Sequence, residues 1–267
     1  MDKGMFVPLV LPLLSWPLAS VVMARTSPRL ASWLLAAGAL VLAGGGTVVL
    51  ALLAAFEHRP WLGLAAGALL VAVAARLAVA TARCVRWMRE VRAAAGESDT
   101  ELVVVDGAPM AIAVPFHGGR IVVSRALLTT LGDGEVCALL AHERAHLRGR
   151  HHWFLAAAGL AVALNPLVRP VRTALEFTLE RWADEGAARS VGDRKLVATA
   201  VAKAALVSKA GPVLAATGGP VPRRVSALLR APTRSWRLGV AVVLAVVLCS
   251  GSTVVEAVAD AATSTWM

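Results

Sequence analysis

The sequence predicts a mainly α-helical, polytopic membrane protein that also carries a small α+β domain. Of the 267 residues, 58% are hydrophobic and only 16% are charged, and the mean hydropathy is +0.69. The apolar residues collect in blocks of about 20, which is the length a helix needs to cross a bilayer. Before the last block the pattern changes to short strand-like runs and charged helices. Disordered and fibrous chains are excluded by this composition.

Four apolar blocks are the candidate membrane spans. They cover residues 5–24, 31–56, 61–82 and 238–255. Three prolines should bend the first block, and the run Gly44-Gly45-Gly46 in the second should let a neighbouring helix approach closely. Only Lys3 precedes the first block as a basic residue, and no clear cleavage pattern follows it. We therefore expect a retained anchor rather than a cleaved signal peptide.

The basic residues predict which side of the membrane each segment faces. Of the 27 Lys and Arg residues, 22 lie within 83–237, together with 13 of the 17 acidic residues. Many sit at the ends of apolar blocks, where they favour anionic lipid over nucleic acid as partner. With the N-terminus outside, all basic ends face the cytoplasm. We expect three spans in 1–82, a cytoplasmic domain in 83–237, and a span with a short outer tail in 238–267, all in a bacterial-type plasma membrane.

The domain between the spans has its own order of elements. Residues 102–105, 111–114 and 121–124 are strand-like, and the last two should form a hairpin around Gly118-Gly119. A helix should run from Gly132 to about Arg148, with acidic residues in its first turn. Further helices are expected near 171–189 and 195–209, followed by a Gly- and Pro-rich linker over 211–222. The 3 cysteines have no ligand-like spacing and predict neither disulfides nor a cysteine zinc site.

One motif in this domain carries recognisable chemistry: His142-Glu143-Arg144-Ala145-His146. Positions four apart lie on the same face of a helix, so both imidazoles can bind one Zn²⁺. Glu143, next to the first histidine, is then placed to act as general base on the attacking water. The apolar run before the motif fits a buried helix. The sequence therefore predicts a zinc hydrolase site.

A catalytic zinc needs a third protein ligand, and two candidates remain open. Gly149 and His152 complete the metzincin spacing, but that pattern needs a downstream methionine turn, and the only later methionine is Met267. Glu180 lies four residues before Asp184 on one helical face and would complete a His, His, Glu set. Asp184 would then accept the second N–H of a ligating histidine. We favour Glu180, with Glu176 as a weaker rival one turn earlier.

The apolar run 153–168 constrains the topology. It has 16 residues, which is short for a span, and it contains Asn165-Pro166. If it crossed the bilayer, Glu180 would lie on the opposite side from His142. A shared zinc therefore predicts a re-entrant hairpin or a docked helix near 153–168, broken near Asn165, with the site close to the membrane surface.

These features together resemble the membrane-embedded zinc metallopeptidases of the beta-lactam-sensor antirepressor type. The residues that carry the resemblance are Gly119-Arg-Ile-Val-Val-Ser124, Leu140 to His146, Asn165-Pro166 and Glu180 to Asp184. The prenyl-protease and heat-shock membrane peptidase family shares the Glu-x-x-x-Asp arrangement. The resemblance implies that His142, His146 and Glu180 bind Zn²⁺, that Glu143 is the general base, and that a cytoplasmic repressor is a possible substrate. Beta-lactam sensing is not implied, because few residues follow the last block.

The expected function is that of an integral membrane zinc endopeptidase with a zincin-like domain, acting on a cytoplasmic or membrane-adjacent protein or peptide. The chain has 0 Tyr, so one usual oxyanion stabiliser is missing, and His151, His152 and Arg181 are weak candidates for that role. The strand 121–124 could pair with an extended substrate at a sheet edge, and a purely structural strand is the equal alternative.

Two alternatives belong to other classes. A non-catalytic membrane transducer would keep zinc as a structural clip, but such a site has no use for Glu143. A metal transporter would turn His142 and His146 toward a pore, but charged residues flank the motif and it does not lie in a span.

Overall fold

The computed structural model describes residues 7–56, 59–95, 100–115, 118–208, 220–230 and 237–264. The helices are α1 (Val7–Val10), α2 (Ser15–Arg25), α3 (Pro28–Phe56), α4 (Pro60–Ala95), α5 (Arg125–Thr130), α6 (Asp133–Gly149), α7 (His151–Leu164), α8 (Arg169–Val191), α9 (Arg194–Ser208), α10 (Pro220–Leu229) and α11 (Arg237–Ser264). The strands are β1 (Leu102–Val105), β2 (Ala111–Val114) and β3 (Arg120–Ser124). The mainly helical class with a small sheet is therefore confirmed.

The chain divides into two compact units. The first comprises Met1–Val85, Phe154–Glu176 and Arg234–Met267, and the second comprises Arg86–Trp153 and Phe177–Thr233. The apolar blocks thus fall into the first unit, and the motif residues into the second.

Among the residues that the structure describes, the first unit holds four helical segments that are long and apolar enough to cross a membrane. They are Val7–Arg25, Pro28–Ala55, Pro60–Ala93 and Arg237–Glu256, which coincide with the four predicted blocks. A 3-10 turn at Leu11–Leu14 interrupts the first of them. Proline lacks an N–H group and crowds the preceding turn, so the predicted bend falls beside Pro12.

Glycines let the helices of this unit approach closely, as the Gly-Gly-Gly run predicted. A methyl group added at Gly45 of α3 would lie 2.7 Å from the Oγ of Ser250 in α11. A methyl group at Gly239 of α11 would collide with the side chain of Thr26. Small residues at such contacts are typical of helices that pack in membranes.

Helix α7 ends at Leu164, and the chain turns at the Asn165-Pro166 pair. The side chain of Asn165 accepts a hydrogen bond from the N–H of Leu167 at 3.0 Å. The Oγ of Ser15 donates to the carbonyl of Leu167 at 2.9 Å. These bonds fix the 3-10 turn Pro166–Val168 between α7 and α8.

The sheet of the second unit has the order β1-β3-β2. Strand β3 is buried along its length; it runs parallel to β1 and antiparallel to β2, with Ala113 opposite Ile121. The predicted hairpin is confirmed. The suggestion that residues 121–124 offer an edge to a substrate is wrong, because both sides of β3 are already paired. Strands β1 and β2 form the two edges of this sheet.

Polar side chains begin the two helices that follow the sheet. The Oγ of Ser124 accepts a hydrogen bond from the N–H of Leu127 at 3.2 Å and so caps α5. The carboxylate of Glu135 accepts from the N–H of Gly132 at 2.9 Å and pairs with Lys203 of α9 at 2.6 Å. These contacts fix the start of α6 and join it to α9.

The expected linker over 211–222 is corrected at its end. Residues 209–219 lie outside the described part of the chain, but Pro220–Pro222 form the first turn of α10. Proline is well tolerated there, because the N–H groups of the first helical turn have no partner inside the helix. The last three residues of the expected linker therefore begin a helix.

Candidate metal centre

Helix α6 presents the three residues of the histidine motif in the interior of the second unit. His142 is 8% exposed and Glu143 is 7% exposed. The Nε2 atoms of His142 and His146 lie 3.1 Å apart, which follows from their spacing of four on one helical face. The Glu143 side chain is hydrogen-bonded to the backbone of Ala113 in β2. The Glu143 side chain thus lies between α6 and strand β2.

Helix α8 brings Glu180 to both histidines. Its Oε2 lies 3.6 Å from Nε2 of His142, and its Oε1 lies 3.5 Å from Nε2 of His146. One turn later, Oδ1 of Asp184 lies 3.1 Å from Nδ1 of His142. Close approach of the helices makes this possible, since a methyl group at Gly186 would lie 2.9 Å from Cβ of Ala145.

The separations of these ligand atoms fit a zinc ion. Atoms about 2.0–2.1 Å from zinc in tetrahedral geometry stand roughly 3.3 Å apart, close to the 3.1, 3.5 and 3.6 Å measured here. His142, His146 and Glu180 form a group whose ligand atoms lie within 4.8 Å of one another. Two imidazoles and a carboxylate are a donor set of catalytic zinc sites. These three side chains would hold the metal.

The rival third ligands lie elsewhere. His152 does not belong to the group of candidate ligands, and its ring lies against Trp153 with centroids 5.3 Å apart. Glu176 is ion-paired with Arg172 at 2.9 Å. The histidine that turns back toward the motif is His151, because Arg150 adopts a left-handed conformation with φ of 51° at the end of α6. A side chain at Gly149 would collide with the ring of His151.

His151 lies behind one of the candidate ligands. Its Nδ1 is 2.8 Å from Nδ1 of His146, and its ring packs on Trp182 with centroids 4.6 Å apart. Because Nε2 of His146 faces the candidate metal position, this contact can orient the ligand ring. His151 therefore contacts the His146 ring at the nitrogen opposite the candidate metal position.

Arg224 of α10 is the site residue that the sequence did not reveal. Its Nη2 and Nε lie 2.7 and 2.9 Å from the two oxygens of Asp184, and its Nη1 lies 2.8 Å from Oε2 of Glu180. Arg194 holds α10 in place by donating to the carbonyl of Leu228 at 2.7 Å. The only sequence signal was an arginine pair after a Gly- and Pro-rich stretch, which is not specific for a site.

Charges in the site set the protonation of the first histidine. Burial alone would lower the pKa of His142, but the close contacts with Asp184 and Glu180 raise it to about 10. Burial acts to raise the pKa of Glu180, yet His142 and Arg224 hold it well below its usual range. The pKa of Asp184 is also lowered against its burial, by Arg224 and His142. The two carboxylates are therefore ionised.

Burial favours the neutral form of the other titratable groups in the site, His146, His151 and Glu143. Burial, together with the charge on His142, lowers the pKa of His146 to about 3. Burial also lowers the pKa of His151 to about 4, so both rings are neutral at neutral pH. Burial raises the pKa of Glu143. A carboxyl group with a raised pKa can exchange a proton nearer neutral pH, as a general base must.

A cleft of about 190 Å³ opens beside the motif. His142, Glu143, Glu180 and Arg224 line one part of it. The rest is apolar and comes from β2, α5, α6 and α9, with Ala111, Leu127, Leu139, Val197, Val201 and Ala204 among its residues. None of the oxyanion candidates His151, His152 and Arg181 lines this cleft.

Comparison with known proteins supports this class of site. Residues 78–161 match the model of Peptidase family M48, and this segment contains the sheet and the whole histidine motif. Together with the His142, His146 and Glu180 cluster, the match supports a zinc metallopeptidase. It does not confirm the beta-lactam-sensor antirepressor type. No curated protein and no solved structure gave a match.

Proposed function

We propose that the protein is an integral membrane endopeptidase that depends on zinc. The observation that carries this proposal is the convergence of Nε2 of His142, Nε2 of His146 and the Glu180 carboxylate at 3.1 to 3.6 Å. Glu143 stands beside this set and lines the adjoining cleft. A closed structural site would have neither the neighbouring carboxylate nor the access.

The residues have separate roles in peptide hydrolysis. Bound zinc would supply Lewis-acid activation of water and of the scissile carbonyl. Glu143 accepts the proton of the attacking water and delivers it to the leaving amine, for which its raised pKa is suited. Asp184 and His151 orient the two ligand imidazoles. Arg224 fixes Asp184 and Glu180.

A substitution of the general base tests the proposal. Glu143→Gln should retain zinc and lose cleavage by about 10²–10⁴-fold, because proton transfer by a positioned side chain contributes that much. Zinc content by metal analysis and proteolysis are measured on the full chain in detergent. Glu176→Gln is the matched control, since Glu176 lies on α8 and pairs with Arg172 at 2.9 Å, outside the candidate ligands. Undiminished cleavage by the zinc-loaded Glu143→Gln variant would contradict the role of Glu143 as general base. It would favour the alternative of a membrane transducer in which zinc is structural.

The substrate that we propose is a cytoplasmic or membrane-adjacent protein, and a regulatory protein such as a repressor is the type that the resemblance implies. An extended segment of it can pair with β2, the edge strand whose Ala111 lines the cleft. Proteins that accumulate in cells carrying Glu143→Gln, but not in wild-type cells, would identify it. An unchanged proteome would argue against a cellular protein substrate.

We also propose that the four apolar segments cross the plasma membrane with the N-terminus outside and residues 83–237 in the cytoplasm. Their length and composition support spanning, and the basic residues at their ends support this orientation. His142 and Glu180 share one group of ligand atoms, so the chain between them must return to the side from which it started.

Helix α7 is the part of that connection that we propose to be re-entrant. Its 14 residues span about 21 Å, against about 30 Å for the hydrocarbon core. The last carbonyls of α7 would lack hydrogen-bond donors inside the bilayer. Arg76 of α4 donates to two of them, the carbonyls of Val162 and Ala163, at 2.8 and 3.2 Å. An arginine within a spanning segment is costly and usually serves a specific partner, which supports placing this helix end at membrane depth.

Cysteine labelling tests the topology. In a variant without the three native cysteines, single cysteines at Trp153 and Leu167 should both be protected from a membrane-impermeant reagent added outside. Cysteine at Arg59 should be labelled from outside, and cysteine at Thr199 only from inside. Labelling of Trp153→Cys and Leu167→Cys from opposite sides would contradict the re-entrant arrangement.

A further inference from the structure

The cleft beside the motif has two chemically different parts. Its polar part is the candidate catalytic centre itself, with His142 and Glu143 on one wall. Its remaining walls carry no charged or polar side chain among the lining residues. Leu127 and Leu139 belong to the buried core beneath it and are 1% and 9% exposed. A water molecule in the apolar part would find few hydrogen-bond partners.

One face of α9 keeps this part of the cleft open. The lining positions on α9 follow the spacing of a single helical face and carry only small or β-branched side chains: Val197, Ala200, Val201, Ala204 and Ala205. Longer side chains at the alanines would occupy the space. The shape of the cleft is therefore set by residue choice on α9, while α6 supplies the chemistry.

We infer that this cleft receives one bulky apolar side chain next to the scissile bond, so that the enzyme cleaves beside Leu, Met or Phe. The inference rests on the proposed function, because the cleft adjoins Glu143 and Glu180 and would be a plain void without catalysis there. The apolar part of its lining disfavours charged side chains, since they would be desolvated there without a partner. A cavity of about 150 Å³ accepts benzene, and the whole cleft, with its polar part included, has about 190 Å³.

The position of the cleft also fixes the side on which the substrate lies. His142 and Glu143 line it, whereas His146 and His151 do not. An occupant would therefore contact the face of the site that carries the general base. This arrangement makes the cleft part of substrate selection.

The test is the cleavage of a mixed peptide library by the full, zinc-loaded chain in detergent, with cleaved bonds identified by mass spectrometry. Large apolar residues should be enriched at one of the two positions flanking the cleaved bonds. Ala204→Leu adds three carbon atoms to the cleft and should lower kcat/KM for a Phe- or Leu-containing peptide by at least about tenfold, since one methylene alone changes discrimination by about 10–200-fold. Cleavage beside Ala or Gly should be affected less.

Controls separate the possible outcomes. Thr199→Leu places the same side chain on the exposed face of α9 and should leave the preference unchanged. Val201→Ala enlarges the cleft and should improve cleavage beside the largest residues, which gives a second reading if Ala204→Leu fails to fold. Cleavage without an apolar preference, or with one that neither variant changes, would overturn this inference and leave the peptidase proposal intact. A fully zinc-loaded chain that cleaves no peptide would overturn both.

Discussion

Replacement of Asp184 by Asn tests whether this carboxylate orients His142 for metal binding, because the change leaves Glu143 in place. Asp184 is 1% exposed, and its carboxylate lies 3.1 Å from Nδ1 of His142. Arg224 holds the same carboxylate at 2.7 and 2.9 Å. Asn has nearly the same shape but no charge, so the change removes the ion pairs without opening a cavity.

The structure gives the size of both expected effects. Removing one partner of a buried ion pair costs about 3–5 kcal/mol. We expect the lower end, because Arg224 keeps Glu180 as a partner at 2.8 Å. Loss of a group that orients a ligand typically weakens metal binding by about 10–100-fold, which corresponds to about 1.4–2.7 kcal/mol. Asp184→Asn should therefore lower the free energy of unfolding and the zinc affinity together.

The assay is competitive zinc titration of the full chain in detergent, with thermal unfolding of the same preparation. Asp106→Asn serves as the control, because it removes an exposed ion pair, with Arg125 at 3.0 Å, that does not contact His142. Asp106→Asn should leave the zinc Kd within about twofold, since neither member of its ion pair belongs to the ligand set. A zinc Kd for Asp184→Asn equal to that of the control would refute the reasoning that Asp184 positions His142.

Two further predictions concern the helices that carry the site. Gly186→Ala should force α8 away from Ala145 and weaken zinc binding, at a cost of about 1–3 kcal/mol; an unchanged zinc titration would contradict this. The second prediction concerns Glu135, whose pKa is lowered by its bonds with Lys203 and the backbone of Gly132. The ionised Glu135 therefore stabilises the folded state. This contribution is complete above the unfolded pKa of about 4.3 and is lost as pH falls through the folded pKa. Glu135→Gln should therefore lower Tm at pH 7 and match the wild type in acid; equal Tm values at pH 7 would be inconsistent with it.

Local patterns sufficed to predict most elements of the fold. The three strand-like runs, the helix from residue 133 and the four apolar blocks depend on periodicity and composition, which the sequence displays directly. The order β1-β3-β2 was not predicted. Parallel pairing of β1 with β3 joins residues about 19 apart along the chain, and no local pattern distinguishes it from a meander with β2 in the centre.

The site divides in the same way. His142, Glu143 and His146 share one helical turn, so their proximity follows from spacing alone. Glu180 and Asp184 required the assumption that α8 packs against the motif, and the close contact of Gly186 with Ala145 explains how it can. Arg224 depends on α10 docking after a stretch whose path the sequence does not encode locally. Its role is visible only in the folded chain.

The charges of the site also indicate what ion it is built to hold. Glu143, Glu180 and Asp184 would contribute three negative charges when ionised, against one positive charge on Arg224, all within a buried region. Two positive charges are needed for balance, because uncompensated charge in a protein interior is costly. Without a metal, two protons supply this balance, because contacts with Asp184 and Glu180 raise the pKa of His142 to about 10 and burial raises that of Glu143. A divalent cation at His142, His146 and Glu180 would supply the same two charges with Glu143 ionised, and it would leave both imidazoles neutral, the form in which they bind metal.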